Sequence, residues 1–106
     1  MPRKPPQYDL ADVHKALDKG KIFMARNATK CSQNIQYETA DVINCLKSLT
    51  IDDYFKTKTY LGGRTLDYYT KNYQLDGRED IDKLFIKIGM EVEGKVYVGA
   101  FKLSDR

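Results

Sequence analysis

The hydrophobic period of this chain changes once, at Thr50, and that change limits what it can fold into. Before it, apolar residues recur at helical spacing. Leu10, Val13 and Leu17 form one such set, behind an N-cap at Asp9 and ahead of a stop at Gly20. Val42, Cys45, Leu46 and Leu49 fall at i, i+3, i+4 and i+7 behind Thr39, which is expected to cap that helix. Between them Asn27 is expected to cap a short helix carrying Ala28, Cys31 and Ile35, and Ile22 to Ala25 reads as a short strand.

After Thr50 the pattern alternates. Strands are expected over about 53–60, 65–74, 83–91 and 95–103, with Gly62-Gly63 turning between the first two and Glu93-Gly94 between the last two. Strands joined by short turns pair antiparallel. Helices followed by such a meander predict an α+β fold, with helices on one sheet face and the other face free to bind. The 106 residues suffice for one domain with one core. Residues 1–7, with Arg3, Lys4 and three prolines, read as a basic extended arm.

Alternation assigns faces. It places Lys56 and Lys58 with Tyr54 and Tyr60, and Phe55 on the opposite side. Ammonium groups beside phenol rings make a poor core strand and a good surface for a polyanion with flat bases. A lysine inside an otherwise apolar strand, such as Lys87 or Lys102, either snorkels near a strand end or points into a working cleft. Lys102, close to the C-terminus, reads as snorkelling on this ground alone.

The net charge is only +3, but its distribution is uneven. Residues 54–73 hold Lys56, Lys58, Arg64 and Lys71 against Asp67, whereas the loop 76–82 is mainly acidic. The adjacent carboxylates Asp52/Asp53 and Glu79/Asp80 read as solvated. Cys31 and Cys45 fall on apolar helical positions and read as reduced core residues. With His14 as the one histidine, a zinc site of usual spacing and Ser/His or Cys/His catalysis are not expected. No apolar run approaches membrane-spanning length, and no apolar stretch follows the basic start as in a signal peptide. A cytoplasmic protein is expected.

Several strings, in order, resemble the MqsR family of mRNA interferase toxins from bacterial toxin–antitoxin systems. They are the helix end Asp18-Lys19-Gly20-Lys21-Ile22, the turn Arg26-Asn27-Ala28-Thr29, the run Asp53-Tyr54-Phe55-Lys56-Thr57-Lys58-Thr59, the strand Leu84-Phe85-Ile86-Lys87-Ile88 and the ending Phe101-Lys102. The resemblance spans almost the whole chain and implies a RelE-like fold. It also implies metal-independent endoribonuclease activity without a cofactor, an mRNA substrate, and a DNA-binding antitoxin of the MqsA kind. Operator DNA would be reached only through that antitoxin, and any zinc would belong to it.

The family's strand lysine corresponds to Lys56 and its C-terminal lysine to Lys102, which moves Lys102 from snorkelling to the active site. The family's glutamine falls on Tyr68, or on Tyr69 after a small shift. Its strand tyrosine is Phe85 here, Phe55 stands before the strand lysine where the family has a tyrosine, and Arg64 stands for a histidine. The implied catalytic set is Lys56, Lys102, Tyr68 and Arg64. Tyr54, Phe55, Lys58, Tyr69, Lys71, Phe85 and Lys87 are the expected RNA-binding residues.

Overall fold

The computed structural model describes residues 5–104. Residues 1–4 of the expected basic arm, including Arg3 and Lys4, lie outside the described residues. Three helices, α1 (Leu10–Asp18), α2 (Arg26–Asn34) and α3 (Thr39–Lys47), pack with five strands: β1 (Ile22–Met24), β2 (Tyr54–Thr59), β3 (Thr65–Tyr73), β4 (Asp82–Met90) and β5 (Val96–Leu103). The fold is α+β, as the change of period predicts. In the sheet, ordered β1-β5-β4-β3-β2, the four long strands form the antiparallel meander and β1 adds to its edge parallel to β5.

Asp9 caps α1, its carboxylate accepting from the Ala11 amide. The other two expected caps each shift toward the N-terminus. Ala25, not Asn27, is the residue before α2, because the chain enters that helix directly from the edge of the sheet, where the Ala25 amide donates to the Val98 carbonyl. Glu38, not Thr39, caps α3, in a reciprocal box with Asp41 that satisfies two otherwise orphaned amides. A 3-10 turn at Ile51–Asp53, boxed between Thr50 and Asp53, then redirects the chain into β2.

The core lies between the helices and one sheet face. Val13, Leu17, Ala28, Val42, Cys45 and Leu46 meet Tyr69, Leu84, Ile86, Ile88, Val96, Val98 and Phe101, all buried. Cys45 is a core thiol whose pKa burial pushes up to about 12. Arg78 of the acidic loop ties that loop to the end of α2. It donates to the carbonyls of Ile35 and Gln36, pairs with Asp82 and lies over the Tyr37 ring. Among the described residues no helix is long and apolar enough to cross a membrane.

Candidate nucleic-acid interface

Two register irregularities decide what the outer sheet face displays. Tyr54 pairs with Tyr69 and Lys56 with Tyr68, which leaves Phe55 as the extra residue of a bulge. The bulge corrects the uniform alternation expected for β2. Tyr54 turns inward and is 3% exposed, whereas Phe55 joins Lys56 on the outer face and is 42% exposed. The second irregularity lies on β5. Lys87 pairs with Ala100 and Ile88 with Val98, so Gly99 is the extra residue.

On the outer face Phe55, Tyr68 and Phe85 make mutual ring contacts at 5.6–6.0 Å between centroids. A lysine leans inward from each side. Lys56 Nζ from β2 lies 5.0 Å from the centre of the Tyr68 ring on β3, and Lys102 Nζ from β5 lies 5.7 Å from that of Phe85 on β4. These contacts hold both ammonium groups over a shared apolar floor. The result is a cavity of about 490 Å³, with Lys83, Thr70 and Ser104 completing its wall. Among the described strand residues whose side chains take this face, none is acidic.

Beside the cavity sits a hydrogen-bonded trio. The Tyr60 and Tyr68 hydroxyls bond to each other, and Lys87 Nζ donates to Tyr60 at 3.1 Å while lying 4.8 Å over the Tyr68 ring. Burial raises the pKa of the Tyr60 phenol, but the bonds from Tyr68 and Lys87 and the charges of Lys87 and Lys58 outweigh it and leave the value below 10.0. Tyr68 shifts the other way, raised by burial and by its bond to Tyr60. Burial works to lower the Lys87 pKa, yet its bonds to the two phenols prevail and raise it. Either oxygen can donate in the bond between the two phenols; the shifts favour Lys87 as a cation and Tyr60 as the phenol that gives up its proton more readily.

Of the expected catalytic set, Lys56, Tyr68 and Lys102 meet in one cavity. Arg64 does not join them. It reaches across the far end of the sheet to lie 3.8 Å over the Tyr97 ring. Among the expected RNA-binding residues, Phe55, Lys58, Phe85 and Lys87 lie on the outer face, with Lys58 5.3 Å over the Tyr60 ring.

Tyr54, Tyr69 and Lys71 are placed elsewhere, for two physical reasons. The bulge turns Tyr54 into the core, where it meets Tyr69 edge-on. Tyr69 and Lys71 are the odd-numbered partners of Tyr68 on β3 and take its helix-covered side. Tyr69 is fully buried, and Lys71 is held by the Ser48 carbonyl and the Asp53 carboxylate at 3.4 Å.

No family model matches the chain, and no curated protein matches it. The site is therefore read from its own geometry. Tyr60, Lys83 and Thr70 are additions to the expected set. Tyr60 shares a face with Lys56 and Lys58 by plain alternation, so its position was readable. Its bond to Tyr68 depends on how the strands pair and was not.

Proposed function

We propose that this chain is a metal-independent endoribonuclease of the MqsR type, a toxin that cleaves single-stranded mRNA and halts growth. One observation carries the reading: Lys56 and Lys102 converge over an aromatic floor, beside a polarised phenol pair, on a face whose described strand residues include no carboxylate. Aromatic rings offer stacking surfaces to unpaired bases, and the lysines offer charge to phosphate. A site whose described residues supply cations and phenols suits cleavage by the substrate's own 2′-hydroxyl.

In the proposed reaction the 2′-oxygen attacks the adjacent phosphorus. Its proton passes to the Tyr68 oxygen while the Tyr68 proton moves to the Tyr60 phenolate. Lys56 and Lys102 flank the phosphate and balance the charge that grows on its oxygens. The bond to the 5′-oxygen breaks, and Lys102 gives that oxygen a proton. The products are a 2′,3′-cyclic phosphate and a 5′-hydroxyl. Lys87 keeps Tyr60 in its acceptor role without itself losing a proton.

The same reading includes a cytoplasmic location, action under stress, and a cognate DNA-binding antitoxin that neutralises the nuclease and binds their operator. A second reading, a non-catalytic RNA-binding module, draws on Phe85. That ring fills the cavity wall where the family pattern has a tyrosine hydroxyl. Controlled expression in a bacterial host separates the two. A nuclease arrests growth on induction, and Lys56→Ala or Lys102→Ala relieves the arrest. Unchecked growth with the unaltered chain at full expression would favour the binding module.

A further inference from the structure

At the far end of the outer face lies a second aromatic and cationic group that the proposed cleavage reaction does not use. Phe23 on β1 pairs in register with Tyr97 on β5, and their rings stack at 5.9 Å with 16° between planes. Arg64 lays its guanidinium flat on Tyr97. Phe23 is 51% exposed on β1, the edge strand of the sheet, and Arg64 is exposed as well. Arg64 extends β3 by one residue, so its side chain crosses β4 to reach Tyr97 on β5.

Two glycines lie beneath that crossing. Gly89 pairs with Tyr97, and Gly99 is the bulge residue beside it. A Cβ at Gly99 would lie 2.9 Å from Leu66 Cδ1, and one at Gly89 would lie 2.9 Å from the Thr65 carbonyl oxygen. Leu66 fills the space those side chains would take, joined at Gly89 by the Tyr8 ring, so apolar surface separates Lys87 and Tyr68 from the Arg64–Tyr97–Phe23 stack. Along β4, Phe85 and Gly89 are four residues apart, or about 13 Å at about 3.3 Å per residue. A short run of extended nucleotides bridges that distance.

We propose that Phe23, Tyr97 and Arg64 form a second nucleotide-binding site, where an unpaired base of the same RNA strand stacks several nucleotides away from the scissile phosphate. It rests on the reading of the cavity as an RNA-cleaving site. The chemistry is that of single-strand recognition: flat apolar rings accept a base of any sequence, and the guanidinium offers both a stacking plane and charge to phosphate. Among the described strand residues of this face none is acidic, and Lys58 and Lys87 lie between the cavity and Arg64 to meet the strand's phosphates. Arg64 is thereby assigned to substrate binding rather than to the transition state.

The test is a length series of fluorescently labelled, fully 2′-O-methylated RNA pools of random sequence. These lack the attacking hydroxyl and so remain intact. Affinity measured by anisotropy should step upward once the pool is long enough to reach from the cavity to the stack. Phe23→Ala and Arg64→Ala should each remove on the order of ten-fold from the long pools and leave the shortest binding pool unchanged. Phe23→Trp should retain the step. Lys56→Ala should weaken every length. Long and short pools affected equally by Phe23→Ala, or not at all, would overturn the second site while leaving the cavity reading intact. No binding of any length by the unaltered protein would overturn both.

Discussion

Replacing Tyr60 by phenylalanine removes one oxygen and, with it, two hydrogen bonds: the one to the Tyr68 hydroxyl and the one from Lys87 at 3.1 Å. The ring, the strand end and the turn behind it are kept. The bond from a charged donor is worth about 1.5–3 kcal/mol when nothing replaces it. Lys87 is only half-buried and can turn to water, so the net loss should be near 1 kcal/mol. For a domain of this size that lowers Tm by about 4–8 °C, which leaves the protein folded at the temperature of the assay.

Cleavage should fall much further, by about 10²–10⁴, because the terminal proton acceptor is gone. The sign of the pH dependence follows from the active form. In the proposed relay Tyr60 works as the phenolate, so the rate should rise with pH along a limb whose midpoint lies below 10.0, since its pKa is lowered from that value. Lys87→Met removes the bond and the charge that lower it, so the rising limb should move to higher pH. The assay is single-turnover cleavage of a labelled RNA across pH, with phenolate absorbance of the free protein read in parallel. A Tyr60→Phe protein that cleaves within about three-fold of the parent, with the same rising limb, would refute the relay.

Other substitutions address placement. Tyr69→Phe removes a buried hydroxyl that has no hydrogen-bond partner among the described residues, so thermal unfolding should show stability unchanged or raised by up to about 1 kcal/mol, with RNA cleavage intact. Arg78→Ala cuts the tie between the acidic loop and the end of α2 and should cost about 1–3 kcal/mol in denaturant unfolding, with little effect on RNA affinity. Gly89→Ala sets a methyl group 2.9 Å from a backbone oxygen of the neighbouring strand and should cost about 1–3 kcal/mol by the same measurement.

The sequence showed the helices through their 3.6-residue period and the meander through alternation, because each pattern records a single buried face. It did not show where that face switches within a strand. Tyr54-Phe55 are two aromatics in succession, and nothing local says which one faces inward. The answer is set by the slip of β2 against β3. Lys71 looked like part of a basic surface because residues 54–73 hold it with Lys56, Lys58 and Arg64 against Asp67. Odd parity on β3 sends it instead to Asp53 beneath the sheet. The parallel pairing of β1 with β5 joins residues more than seventy positions apart, and no short-range pattern encodes it. That pairing sets Phe23 beside Tyr97. Lys56, Tyr68 and Lys102 were marked by a family pattern, whereas their convergence over Phe85 is a product of the folded sheet.

The most direct test of the central claim is incubation of a long single-stranded RNA with the purified protein in excess EDTA, with Lys56→Ala alongside. The account predicts fragments with 5′-hydroxyl and 2′,3′-cyclic phosphate ends from the parent, reduced about a hundred-fold or more by the substitution. Intact RNA in the parent lane, or equal cleavage in both lanes, would contradict it.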